Sequence, residues 1–219
     1  MRLQTIYQAK TTEDAAVAAT IIAQGIAEMR VGKWLVPDDD ARLGTLAAVL
    51  DIYVQDAART GFVDLLVEVE KDDCPGGGFG VAVWVDHTRP VPPPPDYEDR
   101  LWEVAGPQAG KWKVFGNLLN LTGHHHPGEP SGPPAPHHCL VFLAVEGGDD
   151  PGDTGAAALL ERHHTLLDEH GVPAATKVLT PDRAQLYRAH GYIAQGTGAE
   201  FVGGSRLVPM LRHPAGAPR

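Results

Sequence analysis

The sequence predicts an α/β domain built on a mixed sheet. Three observations carry that class. Amphipathic helical stretches alternate with short β-branched runs along the 219 residues. The run "CLVFLAVE" (139–146) is a strong buried strand, followed after a Gly/Asp loop by a helical pattern from about 154 to 170. Glycine and proline punctuate the rest without any internal repeat.

Each element follows in order. "LQTIYQA" opens as a strand. Thr11 or Thr12 then caps a helix whose first turn holds Glu13 and Asp14, matched to the helix dipole, with Ala16, Ala19, Ile22, Ala23, Ile26 and Met29 at helical spacing. Asp38–Asp40 start a second helix with a stripe of Leu43, Leu46, Val49, Leu50, Tyr53 and Ala57, which Gly61 ends. "FVDLLVEVE" (62–70) and "GFGVAVWVDH" (78–87) read as strands joined by a turn in "KDDCPGGG". Prolines without N–H donors make 88–96 an irregular extended connector, and 122–138 is a second, Pro/Gly/His-rich one. Between them, 97–121 is helical in parts and interrupted at "AGPQAG". Gly171 closes the helix that starts near 154. "AATKVLT" is a strand, "PDRAQLYRAHG" a short helix and "SRLVPMLRH" a last strand, so residues 1–219 form one domain.

Composition narrows the function. Asp and Glu outnumber Lys and Arg by 28 to 18, a formal charge of −10 that disfavours nucleic acid and anionic membranes and is compatible with an amine-bearing small molecule. No secretory leader or membrane-spanning run is visible, so the expectation is a soluble cytoplasmic protein. The two cysteines, Cys74 and Cys139, are too few for a disulfide framework or a cysteine-based zinc site. His124–His126, His137 and His138 sit on a loop without fixed metal-ligand spacing, so no metal is expected. His163 and His164 read as a half-exposed helix face. The oligomeric state stays open, a homodimer being one option.

Three stretches together resemble the GNAT superfamily of N-acetyltransferases, and within it the puromycin N-acetyltransferase-like branch. They are "GFGVAVWVD", "HHCLVFLAV…PGDTGAAALLERHHTLLDEHGVPA" and "TPDRAQLYRAHGY", matching in order and spacing across roughly residues 3–212. The resemblance implies a mixed, mostly antiparallel sheet in which strand 139–146 splays from strand 174–179. It implies acetyl-coenzyme A as donor, its pantetheine pairing with Leu143, Ala144 and Val145 and its pyrophosphate held by Gly152, Asp153, Thr154, Gly155 and Ala156. Arg183, where the family often has Asn, would also contact the cofactor. A backbone N–H near Ala144 or Val145 would polarise the thioester carbonyl. Tyr187 matches the family tyrosine that protonates the departing thiolate; read from its surroundings alone it could equally pack its helix on the sheet. Trp84 would line the acceptor pocket or belong to the core. Asp86 and His87, at the end of the same strand, are either general-base residues or a solvated strand end.

Besides Arg183, the chain departs from the family pattern in its loop and on strand 174–179. The loop Gln/Arg-x-x-Gly-x-Gly/Ala reads Pro151-Gly152-Asp153-Thr154-Gly155-Ala156, with Pro151 replacing the leading donor and Asp153 standing where a base is common. A family Glu on strand 174–179 is Lys177. The implied activity is acetyl transfer to a small amine, antibiotic-like or metabolic. The departures keep two alternatives open: an enzyme of the same fold that no longer uses acetyl-coenzyme A in the usual way, and a small-molecule-binding protein on that scaffold.

Overall fold

The computed structural model describes residues 3–69, 75–90, 92–119, 136–146, 154–179, 181–202 and 206–216. Its strands are β1 (Leu3–Gln8), β2 (Phe62–Val69), β3 (Pro75–Asp86), β4 (His138–Val145), β5 (Ala174–Val178), β6 (Ile193–Ala194), β7 (Ala199–Glu200) and β8 (Arg206–Arg212). The helices are α1 (Thr12–Ala27), α2 (Arg30–Leu35), α3 (Asp39–Thr60), α4 (Tyr97–Ala105), α5 (Ala109–Leu118), α6 (Thr154–His170) and α7 (Pro181–Ala189). The sheet runs β1-β2-β3-β4-β5-β8-β6, with β7 pairing β8. Every pair is antiparallel except β4–β5, which is parallel. A mixed, mostly antiparallel sheet between helices is therefore the architecture.

Alternation along β3 divides the core in two. Val81 and Val83 face a cluster built with α1 to α5, while Ala82 and Trp84 face a cluster built with α6 and α7. The helix starts follow their caps. Thr11 accepts the Asp14 N–H as the Asp14 carboxylate accepts the Thr11 N–H, a reciprocal capping box. Asp38 accepts the N–H groups of Asp40 and Ala41 at the head of α3.

Some expectations need correction. In α1, Ala15, Ala18 and Ile21 join Ala19, Ile22 and Ala23 in the buried stripe, whereas Ala16 faces solvent. Leu43 is 45% exposed, while Arg42 beside it is buried and the stripe begins at Leu46. The short α2 and the two-residue strands β6 and β7 carry too few residues to show a period. His163 and His164 are buried, not half-exposed, since α6 turns both onto side chains described below. Residues 97–119 resolve into α4, a 3₁₀ turn over Gly106–Gln108, and α5. The turn in "KDDCPGGG" and the loop 122–138 lie largely outside the described residues.

The insertion between β3 and β4 packs on the face that carries α1 and α3. Trp112 and Phe115 of α5 are buried there, and Lys111 Nζ donates to the Trp34 carbonyl at 2.7 Å. Tyr53 of α3 links both inserted helices, its hydroxyl 2.6 Å from that of Tyr97 and 3.3 Å from the Trp112 carbonyl it donates to.

Candidate functional site

β4 and β5 pair over only three positions: His138 with Ala174, Cys139 with Ala175, and Leu140 with Thr176. Past Leu140 they separate while β5 continues against β8 to Val178. The separation has a local cause. On β3, Trp84 pairs with Leu140 and Val83 with Phe142, leaving Val141 as the extra residue of a bulge. Val141 and Phe142 consequently both turn to the α1 side, where alternation would allow one. A bulge adds twist, and the twist carries β4 off β5. Thr176 Oγ1 donates to the Leu140 carbonyl at 2.9 Å and closes the vertex.

A cavity of about 80 Å³ occupies the gap. Its walls are β4 from Val141 to Ala144, β5 from Thr176 to Val178, and α1 at Ile22 and Gly25. From the α7 side come Arg183 and Tyr187; over the α1 side lie Phe115 and Leu119 at the end of α5. Arg183 Nη1 donates to the Leu143 carbonyl across the gap at 2.9 Å. Since the N–H and C=O of one strand residue point the same way, the Leu143 backbone faces the gap and not β3. Lys177 Nζ donates to the Leu118 carbonyl at 2.7 Å, a cation at the negative end of α5. Tyr187 is 5% exposed, at the junction of α7 and the gap.

The structure thus brings together Leu143, Ala144, Arg183 and Tyr187. Val145 follows on β4, paired with Gly80. Thr154, Gly155 and Ala156 form the first turn of α6, at the positive end of its dipole. Gly152 and Asp153, with Pro151, lie outside the described residues, as do His124–His126 and Cys74.

The remaining sequence candidates are placed elsewhere. Trp84 is fully buried on the α6 face, stacked on His163 with centroids 4.1 Å apart, and does not line the cavity. Asp86 pairs with His138 at the closed end of β4–β5, about 10 Å along the strand from Val141 at roughly 3.3 Å per residue. Its carboxylate accepts the Thr88 N–H (2.8 Å) and hydroxyl (2.6 Å), and it faces Arg89 and His138. Burial works against that charge, yet the Thr88 bonds with His138 and Arg89 hold the carboxyl below its ordinary value. His87 stacks on His137, centroids 4.9 Å apart. Neither Asp86 nor His87 lines the cavity. Cys139 is buried, its thiol pushed up to about 12 by burial, which makes it inert packing. Among the described residues no group of three or more metal-ligating side chains occurs. No described helix is long and apolar enough to cross a membrane.

Beneath α6 lies a polar seam that the sequence did not announce. His138 Nδ1 is 3.0 Å from His163 Nε2, and Asp64 on β2 pairs with Arg162 at 3.2 Å. His164 Nε2 is 3.0 Å from the Tyr192 hydroxyl. Only the spacing of "HH" on one helix hinted at it.

No protein-family model matches the chain, and no curated protein matches it. Solved structures do. Histone acetyltransferase HPA2 and related acetyltransferase from Corynebacterium glutamicum superposes over 100% of both chains with a TM-score of 0.67 at 20% identity. The chain has the GNAT acetyltransferase fold. Other structures of similar GNAT-like shape include the C-terminal condensation domain of Ebony in complex with β-alanyl-dopamine, with a TM-score of 0.61 at 12% identity over 97% of this chain and 100% of that one. Arylalkylamine N-acetyltransferase 2 from Aedes aegypti gives 0.53 at 12% identity over 96% and 98%.

Proposed function

We propose that the chain is a coenzyme A-dependent N-acetyltransferase acting on a small amine, antibiotic-like or metabolic, and that it belongs to the puromycin N-acetyltransferase-like branch. One observation carries the reading: the β4–β5 gap, where the Leu143 backbone, Arg183 and Tyr187 converge on one cavity. The three quoted sequence stretches support the branch.

The donor set suits an anionic, amide-bearing acyl donor. Strand backbone without a β5 partner accepts an extended amide arm as an added strand. The first turn of α6 and the Arg183 cation suit a pyrophosphate. The donor supplies an acyl thioester and a thiol leaving group. We assign the Leu143 N–H to polarise the thioester carbonyl and the Tyr187 hydroxyl to hold the proton for the thiolate. A phenol near pKa 10 and a thiol near 8.5 are close enough for that transfer. None of the described lining residues is a carboxylate or an imidazole, so an amine already neutral at working pH suits the cavity.

Calorimetric titration with acetyl-coenzyme A, followed by thiol-release assays across a panel of amines, tests the reading. Expected are saturable binding and transfer to a weakly basic amine. The absence of binding at millimolar donor overturns it.

A second reading is amide formation from a different acyl donor. It draws on the likeness to the Ebony condensation domain and on Pro151 and Asp153 in the loop. It predicts amine-dependent condensation with no affinity for acetyl-coenzyme A.

A further inference from the structure

The stretch "YRAHGY" closes α7 in a way that joins Tyr187 to a second tyrosine. Gly191 takes a left-handed φ of +85°, which its lack of a Cβ permits. The chain then turns back under the helix: the Gly191 N–H donates to the Arg188 carbonyl (3.1 Å) and the Tyr192 N–H to the Tyr187 carbonyl (3.0 Å). Helices that end this way bring the residue after the glycine against the last turn. Here the contact is ring on ring, with the Tyr187 and Tyr192 centroids 5.4 Å apart and the planes at 75°, the edge-to-face geometry aromatic pairs favour.

Tyr192 is itself held from the opposite side. It is 2% exposed, and its hydroxyl lies 3.0 Å from Nε2 of His164 on α6. Burial, with Arg212 and His190 nearby, pushes the imidazole down to about 3, and burial pushes the Tyr192 phenol well above its ordinary value. Both groups are therefore neutral and share one hydrogen bond, its direction set by the imidazole tautomer. The bond runs from α7's exit to a different helix. Tyr192 is thus fixed at three points: its backbone N–H, its ring and its hydroxyl.

We propose that Tyr192, anchored by His164, is the positioning residue that fixes the side-chain rotamer of Tyr187 at the β4–β5 gap; this rests on the reading of Tyr187 as proton donor. An aromatic side chain without such a wall samples alternative staggered χ1 wells. A reacting group displaced by about 1 Å loses on the order of a hundredfold in rate. Tyr192 does not line the cavity, whereas Arg183 and the β4 residues assigned to the donor do, so its loss acts on turnover and spares donor binding.

The test compares Tyr192→Leu, Tyr192→Phe and His164→Ala. For each, kcat and KM for acetyl-coenzyme A are measured, and the Tyr187 ring is followed by ¹³C NMR of Cζ-labelled tyrosine, assigned with Tyr187→Phe. Tyr192→Leu is expected to lower kcat by roughly tenfold to a hundredfold while KM stays within about threefold, with the Tyr187 resonance shifted. Tyr192→Phe keeps the ring and loses the His164 bond, so it falls between wild type and Tyr192→Leu. His164→Ala matches Tyr192→Phe, and the double variant is no worse than either single one, the signature of one shared contact. If Tyr192→Leu does not fold, His164→Ala carries the same readouts. A Tyr187 resonance unmoved in both folded variants overturns the proposal whatever the activity. An unchanged kcat in Tyr187→Phe instead overturns the proton-donor reading, and the NMR result then decides positioning by itself.

Discussion

Nδ1 of His138 on β4 lies 3.0 Å from Nε2 of His163 on α6, a hydrogen bond between two buried imidazoles across the sheet–helix interface. Aromatic faces enclose it: Trp84 stacks on His163 and Phe62 on His138. Such a site accepts one N–H between the rings and has no room for N–H groups on both.

Burial, helped by the neighbouring His138, pushes His163 down to about 2, and burial pushes His164 down to about 3. Both rings stay neutral in the fold and charge freely in the unfolded chain, so below about pH 6.5 the unfolded state binds more protons and stability falls with pH. The loss comes to about 2 kcal/mol per histidine at pH 5. Urea unfolding between pH 8 and pH 5 checks this, with His163→Leu expected to flatten the curve. Equal stability at pH 7 and pH 5 contradicts it.

Gly25 lies in the last turns of α1 and borders the gap, where an added Cβ meets the Ala144 Cβ at an ordinary 3.6 Å. Gly25→Ala should therefore stabilise by about 0.5–1 kcal/mol through helix propensity. Gly25→Leu should leave the fold intact yet abolish acetyl-coenzyme A binding by filling the cavity. Thermal melts and calorimetry of both variants separate the two effects.

Asp168 near the end of α6 accepts two bonds from Arg212 of β8, at 2.8 and 2.7 Å, and one from the Ala215 N–H at 2.8 Å. Asp168→Asn removes the charge and the second acceptor, an expected cost of about 1–3 kcal/mol. A lowered melting temperature that recovers in the charge-restoring Asp168→Glu variant would fit the ion pair; no shift in Asp168→Asn contradicts it.

Gly61 ends α3 with no room for a side chain, since a Cβ there runs into the Trp84 carbonyl. Gly61→Ala forces backbone apart at the start of β2 and should cost about 1–3 kcal/mol or more. Chemical denaturation measures it, and wild-type stability would show the strand yields more easily than the geometry implies.

Helices α1, α3 and α6 and the strands around them were legible because period and caps agree at Thr11, Asp38 and Gly171. The gap was legible only through a resemblance: "LYRAHGY" marks Tyr187, but nothing local shows that β4 leaves β5 at Leu140. That depends on the bulge at Val141, a matter of register with β3. The same register puts Asp86 and Trp84 away from the cavity, although their strand position resembled a pocket edge. His163 and His164 read as surface because their partners, His138 and Tyr192, lie 25 and 28 residues away in sequence. Helical spacing cannot report partners at that distance.

The insertion between β3 and β4 supplies one wall of the cavity from outside the sheet. Phe115 and Leu119 overhang the cavity from one continuous excursion of chain, whereas Leu143, Arg183 and Tyr187 belong to the sheet and α7. On the proposed reading, exchanging that excursion would reshape one wall of the cavity while Leu143, Arg183 and Tyr187 keep their places.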